Sequence, residues 1–250
     1  MTTAPQMRGR TALVTGASGG IGRAIAVELG GYGADVVLVG RDENALTEAA
    51  AEVQARGGTA RTIALDLTDA AAPAKLAEQV GEVELLVNNA GVAPGGPFVE
   101  SDPAELQAMV ALNISALTEL TGLLLPGMVA RGRGSVINLA SVAAYVPAPG
   151  MAAYTASKAY VLTLSRILWA ETRGHGVRVV AVNPGATLTA MNPRGTRTAE
   201  QVARRALGAL AGSGPEVTEG RLNAVLGHLV DQLPARVAVP LGGWLMARFG

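Results

Sequence analysis

Short apolar runs alternate with longer amphipathic stretches along most of the chain. Each run is rich in valine, isoleucine and leucine and is continuous, which is typical of strands buried on both faces. The stretches between the runs repeat apolar residues every four positions, as Ile21, Ile25 and Leu29 do, which predicts helices. The predicted strands cover residues 11–16, 35–40, 60–66, 84–91, 135–141 and 177–185.

The predicted helices fill the intervals between these strands, and Asp42 is a plausible N-cap for the second of them. Continuous apolar strands separated by helices indicate an α/β fold with a parallel sheet covered on both faces. A short segment, "PEVTEG", is a candidate seventh strand. The predicted helices cover residues 20–33, 42–56, about 70–80, 102–130, 151–173 and 198–211.

Composition narrows the functional classes. The chain has 250 residues, is 49% hydrophobic and has no net charge, which fits one compact domain and argues against nucleic-acid binding. It has no cysteine, and its two histidines, His175 and His228, are far apart, so we expect no metal site. The first ten residues contain no apolar run, and the run at 237–247 is shorter than the about 20 residues that span a bilayer. We therefore expect a cytoplasmic protein.

Polar and glycine-rich segments follow most of the predicted strands. In parallel α/β sheets, ligands bind beyond the carboxyl ends of the strands, so these segments should line one cleft that binds a polar ligand. In chain order they read "TGASGGIG", "GRDE", "DLTD", "NNAG", "ASVAAY" and "NPGATLT".

The first of these segments joins a strand to a helix. Gly16, Gly20 and Gly22 would let the backbone turn tightly, and the amides of the helix N-terminus could then bind a pyrophosphate. The glycine spacing differs from the G-x-G-x-x-G fingerprint, so a turn without a ligand remains the alternative.

The residue after the second strand bears on the choice between NAD and NADP. NAD sites place an acidic residue there, whereas NADP sites place an arginine for the 2′-phosphate. Arg41 follows the strand directly, and Asp42 suits a helix cap better than a ribose ligand. We therefore predict NADP(H) rather than NAD(H), with a solvated surface arginine as the alternative reading of Arg41.

The chain has only two lysines, and one of them, Lys158, lies four residues after Tyr154. In a helix these residues share a face, and an ammonium near a phenol lowers the phenol pKa, which suits general acid–base catalysis. A surface Tyr–Lys pair is the alternative. Two further polar residues stand out: Ser141 at the end of a strand, and Asn113 inside an apolar helical stretch.

Together these segments resemble the short-chain dehydrogenase/reductase family over residues 9–190. The matching motifs are "TGASGGIG", "NNAG" at 88–91, Asn113, an S-x12-Y-x3-K pattern formed by Ser141, Tyr154 and Lys158, and "NPG" at 183–185. The resemblance implies a three-layer Rossmann sheet with strand order 3-2-1-4-5-6-7. It also implies hydride transfer between NADP(H) and a carbonyl or secondary alcohol.

The resemblance assigns roles residue by residue. Tyr154 would be the catalytic acid/base, Lys158 would tune it and bind the nicotinamide ribose, Ser141 would bind the substrate oxygen, and Asn113 would support a water relay. Arg41 would bind the 2′-phosphate. The cofactor-binding residues would be Gly16, Ser18, Gly20, Ile21, Gly22, Arg41, Asp66, Leu67, Asn89, Ala90, Gly91, Tyr154, Lys158, Pro184, Gly185 and Thr189.

The last quarter of the chain resembles the family less. We expect one domain over 1–250, with a core at 1–185, a substrate loop and helix at 186–212, and an apolar extension at 213–250. The extension would pack on its own domain or at a subunit boundary. Alternatively it would cover an apolar substrate, or contact a membrane surface through flanking Arg236 and Arg248.

The two long helices predict self-association, because their apolar residues exceed what one sheet face needs. We expect a homodimer or homotetramer. The residues of this face are Leu106, Val110, Ile114, Leu117, Thr121 and Leu124 on one helix and Tyr160, Leu164, Ile167 and Trp169 on the other.

The sequence alone leaves open which substrate is bound and to which functional class the protein belongs. A ketone, a 3-oxoacyl thioester or a steroid-like alcohol would suit the motifs, and Arg194 or Arg197 could bind a carboxylate. A non-catalytic dinucleotide-binding sensor or scaffold is the main alternative, and an epimerase or dehydratase with the same fold is a third.

Overall fold

Seven parallel strands form a single sheet in the computed structural model, which describes residues 7–189, 192, 193, 195–220, 227, 229, 230 and 232–249. The strand order is β3-β2-β1-β4-β5-β6-β7, which confirms the predicted order. The strands are β1 Thr11–Thr15, β2 Asp35–Gly40, β3 Thr59–Ala64, β4 Leu85–Asn88, β5 Gly134–Leu139, β6 Val177–Asn183 and β7 Glu216–Thr218.

The order reverses beside β1, which pairs with β2 on one side and with β4 on the other. The chain crosses to opposite faces of the sheet at this point, so a cleft opens between the two turns that follow β1 and β4. The register aligns Ala12 of β1 with Val36 of β2 and Leu85 of β4, which brings the carboxyl ends of these strands to the same edge.

Eight α-helices are described, and they cover both faces of the sheet. Alternate residues of each strand face opposite layers, so Ala12 and Val14 join one core while Leu13 joins the other. The helices are α1 Gly20–Gly31, α2 Glu43–Ala55, α3 Ala72–Val80, α4 Pro103–Val110, α5 Leu117–Ala130, α6 Ala152–Thr172, α7 Ala199–Gly208 and α8 Ala235–Phe249.

The helix predicted over 102–130 contains a π-helical turn, Ala111–Ala116, between α4 and α5. The wider turn rotates the side chains that follow it relative to a regular helix. As a result, Leu117, Thr121 and Leu124 are buried in the fold, and their assignment to an exposed association face is wrong.

Some residues of the predicted association face remain on the surface. Val110 on α4 and Tyr160 and Ile167 on α6 are exposed. Leu106, Ile114, Leu164 and Trp169 are partly buried. By length and composition alone the stretch Pro103–Ala130 could cross a membrane, but its buried leucines, such as Leu120, pack in the sheet core.

The C-terminal helix packs on its own domain. A Cβ atom on Gly242 would lie 2.0 Å from the carbonyl oxygen of Pro147, and one on Gly243 would lie 3.1 Å from the Pro149 ring. These glycines therefore let α8 approach the segment between β5 and α6. His228 and Arg194 lie outside the described residues.

Candidate active site

A tight turn follows β1 and leads into α1. Gly16 and Gly20 have φ angles of 65° and 53°, a region that residues with side chains rarely adopt. A Cβ atom on Gly22 would lie 2.3 Å from the carbonyl oxygen of Gly16, so no side chain fits there. The turn therefore needs glycine for its own geometry at all three predicted positions.

The N-terminus of α1 has no side-chain cap, as is also true of α3 and α6, but it lies directly behind the glycine turn. Asp42, Asp102 and Thr198 cap α2, α4 and α7 through side-chain hydrogen bonds, which confirms the expected role of Asp42. No side chain caps α1, whose N-cap is Gly19, and its first turn has no acidic residue. Its backbone amides thus fit the pyrophosphate of a dinucleotide.

The remaining residues of this turn fasten it to the sheet. The Ser18 side chain packs beside Gly40 at the end of β2, since a Cβ atom on Gly40 would lie 3.2 Å from its hydroxyl oxygen. Ile21 packs against the apolar core under α1. Ser18 and Ile21 were both predicted to contact the cofactor, and Ile21 can do so through its backbone.

Asn89 has a structural role in addition to the predicted contact with the cofactor, which stays a prediction. Its Nδ2 atom donates to the carbonyl oxygens of Thr15 (2.9 Å) and Gly16 (3.2 Å), so the amide holds the glycine turn. Thr15 is the first residue of "TGASGGIG" but was not among the predicted site residues, and its hydroxyl accepts hydrogen bonds from the amides of Asn89 and Ala90, both at 3.0 Å. Its position at the carboxyl end of β1 was the signal that could have identified it.

The end of the cleft beyond β2 is open to solvent. The Arg41 guanidinium lies 4.0 Å from the Asp66 carboxylate, and the two side chains are 71% and 48% exposed. The backbone amide and hydroxyl of Thr68 hydrogen-bond Asp66 and hold its pKa below the usual range. Leu67, predicted to contact the adenine, has its side chain in the core.

At the other end of the cleft, Ser141, Tyr154 and Lys158 converge. Ser141 precedes a short 3₁₀ turn, Val142–Ala144, and its hydroxyl accepts a hydrogen bond from the Ala143 amide at 3.1 Å. Tyr154 lies in the first turn of α6, and Lys158 follows one turn later. The Lys158 Nζ atom is 5.8 Å from the centre of the Tyr154 ring and donates to the Leu139 carbonyl at 2.7 Å.

The pKa of Tyr154 is shifted in the direction opposite to the one predicted. Burial raises the pKa of Tyr154, and a hydrogen bond from Ser141 opposes only part of that rise. Burial lowers the pKa of Lys158 to about 8. The predicted lowering of the tyrosine pKa is therefore wrong, because burial outweighs the other influences and Lys158, 5.8 Å from the ring centre, is not among the groups that shift this pKa. Tyr154 keeps its proton at neutral pH and suits the role of a proton donor.

Asn113 lies in the π-helical turn and is buried. Its Oδ1 atom accepts from the Val92 amide at 3.0 Å, and its Nδ2 atom donates to the Val92 carbonyl at 2.9 Å and to Ser157 at 3.2 Å. It thus fastens the loop after β4 to α6. The backbone of Gly91 passes between Asn113 and Lys158, 3.1 Å and 3.6 Å from where its Cβ would be. The relay role of Asn113 stays a prediction.

The segment after β6 reaches back over the glycine turn. The Pro184 carbonyl accepts from the Val142 amide at 3.1 Å, and the Gly185 carbonyl accepts from the Thr187 hydroxyl at 2.9 Å. The Thr189 methyl group would lie 3.2 Å from a Cβ atom on Gly20. These three predicted cofactor residues therefore border the cleft opposite Ser141.

The loop that continues from Thr189 folds back on itself, because Thr187 and Arg197 form a bridge. Gly195 comes so close to the Thr187 backbone that no side chain fits. Arg197 pairs with Glu219 at 3.6 Å, so it stabilises the base of this loop rather than standing ready for a substrate carboxylate.

A buried polar network lies under the site, and only its Asn88 belongs to a motif singled out in the sequence, "NNAG". Asn88 donates to Asn138 at 2.9 Å and to Thr121 at 3.0 Å, and Asn138 donates to Ser165 at 2.9 Å. Because these residues belong to β4, β5, α5 and α6, the network fixes the elements that carry the site relative to one another.

Comparison with known proteins supports the fold and shows the family to which the chain belongs. Residues 10–200 match the family model described as short chain dehydrogenase. Gluconate 5-dehydrogenase of Gluconobacter oxydans is 34% identical over 75% of this chain and 75% of its own length. The very-long-chain 3-oxoacyl-CoA reductase of Phaeosphaeria nodorum is 34% identical over 74% of this chain. A short chain dehydrogenase of Pseudocercospora fijiensis is 39% identical over 72% of it.

The chain spans 57% of the Phaeosphaeria reductase and 60% of the Pseudocercospora dehydrogenase. Solved structures match over nearly their whole length. A short-chain dehydrogenase from Sphingobium yanoikuyae in complex with NADPH has a TM-score of 0.80, with 31% identity over 90% of this chain and 96% of its own. A 3-oxoacyl (acyl-carrier-protein) reductase from Agrobacterium tumefaciens with NADP bound has a TM-score of 0.80, 30% identity, and covers 88% and 97%.

Proposed function

The chain belongs to the short-chain dehydrogenase family, and from this premise we propose that it is an NADP(H)-dependent oxidoreductase. It interconverts a carbonyl and a secondary alcohol by hydride transfer, and its substrates are apolar ketones or 3-oxoacyl thioesters. The observation that carries the proposal is the convergence of Ser141, Tyr154 and Lys158 at the closed end of the cleft, with an uncapped helix N-terminus at its floor.

The chain offers a binding group for each part of the cofactor. The amides at the start of α1 bind the pyrophosphate, and Arg41 binds the 2′-phosphate. Lys158 has three donors, of which the Leu139 carbonyl takes one, so the others are available to ribose hydroxyls. When bound, the dinucleotide supplies the hydride, and the protein supplies orientation and charge.

Ser141 and Tyr154 stabilise the oxygen of the reacting carbonyl. The Ser141 oxygen already accepts the Ala143 amide, which leaves its own proton to donate. The Tyr154 phenol is protonated at neutral pH because burial raises its pKa. A carbonyl oxygen that lies between the two hydroxyl groups would replace their mutual hydrogen bond and accept from both, which lowers the barrier to reduction as negative charge develops on that oxygen.

Tyr154 then gives its proton to that oxygen. The Lys158 ammonium, whose pKa is lowered to about 8, is mostly protonated at pH 7 and lies one helical turn away. Oxidation of an alcohol would require the phenol to lose its proton first, which burial opposes. The raised pKa of Tyr154 therefore favours the reducing direction at neutral pH and oxidation only in alkaline solution.

The surroundings of the site favour an apolar substituent on the substrate. Residues 91–99 and 140–157, which flank the reacting groups, contain no Asp, Glu, Lys or Arg. The glycines of α8 pack against Pro147 and Pro149 in the second of these segments. Arg197 is paired with Glu219. These features suit an acyl chain better than a polyhydroxy acid such as gluconate.

A panel of carbonyl compounds tests the proposal through loss of NADPH absorbance. It contains 3-oxoacyl thioesters, apolar cyclic and aryl ketones, and 5-keto-gluconate, with the Ser141→Ala/Tyr154→Phe double variant as the blank. We expect turnover of the first two groups and little of the sugar acid. Faster turnover of 5-keto-gluconate would contradict the substrate class. NADPH binding without turnover of any compound would favour a sensor or scaffold.

A further inference from the structure

Tyr145, Arg166, Asn183 and Glu216 form a second polar cluster, which we call the brace. The Tyr145 side chain is buried, and its hydroxyl donates to Glu216 Oε1 at 2.9 Å. The same hydroxyl accepts from Asn183 Nδ2 at 3.0 Å and from Arg166 Nη2 at 3.4 Å. Burial and the neighbouring Glu216 raise the pKa of Tyr145 above its ordinary value, so it stays a neutral donor.

Arg166 and Glu216 form the ionic part of the brace. The Arg166 Nε atom lies 2.5 Å from Glu216 Oε2, and Nη2 lies 3.0 Å from Oε1. This two-point contact fixes the direction of the carboxylate as well as its distance. The guanidinium also lies 5.6 Å from the centre of the Tyr145 ring. The three side chains therefore constrain one another.

The brace joins the 3₁₀ turn after Ser141 to the carboxyl end of β6. Tyr145 directly follows the 3₁₀ turn Val142–Ala144, which Ser141 directly precedes. Asn183 is the last residue of β6 and directly precedes Pro184 and Gly185. A backbone hydrogen bond from Val142 to Pro184 already links these segments, and the brace adds side-chain contacts beside it.

We propose that Tyr145 and Glu216 are positioning residues, which set the distance between the Ser141 hydroxyl and the Pro184–Gly185 segment. Stability alone is a weak reason for such a cluster, because an ion pair whose arginine side chain is 38% exposed contributes little to stability. Orientation is what the polar cluster adds. The inference rests on the proposed function, since it concerns the geometry of the same reaction.

The brace does not touch the glycine turn or Arg41, and it reaches the predicted cofactor residues only through Pro184 and Gly185, so its loss should impair the reaction step more than cofactor binding. A misplacement of about 1 Å can lower a rate by as much as about 100-fold. We expect Tyr145→Phe to lower kcat about 10- to 100-fold while the Kd for NADPH stays within about twofold. The kinetic isotope effect with 4-deuterated NADPH should rise, because hydride transfer becomes rate-limiting.

Glu84 offers a matched control at the opposite, amino-terminal edge of the sheet. It pairs with Arg10 at 2.6 Å and with Arg133 at 3.4 Å, and its side chain is 14% exposed, against 16% for Glu216. Glu84→Gln and Glu216→Gln should lower the melting temperature to a similar extent. Only Glu216→Gln should lower kcat and raise the isotope effect.

Equal kcat values for the wild type and Tyr145→Phe, or equal losses for Glu216→Gln and Glu84→Gln, would overturn the proposal. If Tyr145→Phe does not fold, Glu216→Gln carries the test, because glutamine keeps the shape and can still accept from Tyr145. A wild-type protein that reduces no carbonyl would instead overturn the proposed function, so the two failures are distinct.

Discussion

The two ends of the cleft differ in how much water reaches them. At the end beyond β2, Arg41 and Asp66 are 71% and 48% exposed and lie 4.0 Å apart. At the other end, Lys158 is buried and Tyr154 has its pKa raised by burial. The first end has solvent-exposed charges, whereas the second has a buried ammonium beside the partly buried side chains of Ser141 and Tyr154.

This contrast predicts how each end acts. An exposed ion pair contributes about 1 kcal/mol or less and weakens with salt, so the open end can bias the choice of cofactor only moderately. Groups held in a dry site act on developing charge without reorganising, and each is worth several kcal/mol. We therefore expect large effects on rate from the buried end and small effects on preference from the open end.

The largest of the three effects should follow Ser141→Ala. Loss of one hydrogen-bond donor to a developing oxyanion lowers kcat about 100- to 1000-fold. NADPH affinity should stay within about twofold, because Ser141 lies at the substrate side of the cleft. Steady-state kinetics and NADPH titration measure both. Ser135→Ala, at the amino end of β5, is the control, and a loss of kcat below about tenfold would show that Ser141 does not contact the reacting oxygen.

An intermediate effect should follow Arg41→Asp. The 2′-phosphate would lose a cation and meet a carboxylate, so kcat/KM for NADPH should fall about tenfold or more while that for NADH changes little. The difference should shrink at high salt because the site is exposed. Arg56→Asp, near the end of α2, controls for the change in net charge. A wild type that prefers NADH would contradict the cofactor assignment.

The smallest expected effect is the contribution of Lys158 to the pH dependence of the free energy of unfolding. The folded-state pKa of Lys158, about 8, lies below its ordinary value of 10.5, so the folded protein binds fewer protons than the unfolded chain between these values. Its free energy of unfolding should therefore rise from pH 7.5 to 9.5 relative to Lys158→Met, by about 1 to 2 kcal/mol. Urea unfolding at several pH values measures this. A constant difference would mean that Lys158 is solvated.

Much of the fold was predictable because its signals are local. The strand positions follow from apolar runs, and the cap at Asp42 follows from its place before α2. The strand order came from the family resemblance and not from the apolar pattern. The π-helical turn was not predictable, since it accompanies hydrogen bonds from Asn113 to Val92, 21 residues away. A regular α-helical period therefore assigns the apolar residues after Asn113 to the wrong face of the helix.

In the site, too, local spacing was predictable from the sequence and long-range contacts were not. Spacing places Tyr154 and Lys158 on one face of α6, but it does not tell which partner the ammonium chooses, and Leu139 lies 19 residues away. Nor does spacing reveal how deeply the phenol is buried, and burial is why the predicted direction of the tyrosine pKa shift was wrong. The brace was invisible for a related reason, because Tyr145 and Glu216 are 71 residues apart and neither belongs to a motif.

The most direct test of the account is the turnover of Tyr154→Phe, measured together with its NADPH affinity. The substitution removes one hydroxyl and keeps the ring, so the cleft retains its shape. If the buried phenol donates the proton, carbonyl reduction should fall to the level of the blank while the Kd for NADPH stays within about twofold of the wild type. Turnover within about tenfold of the wild type would show that the proton comes from another group.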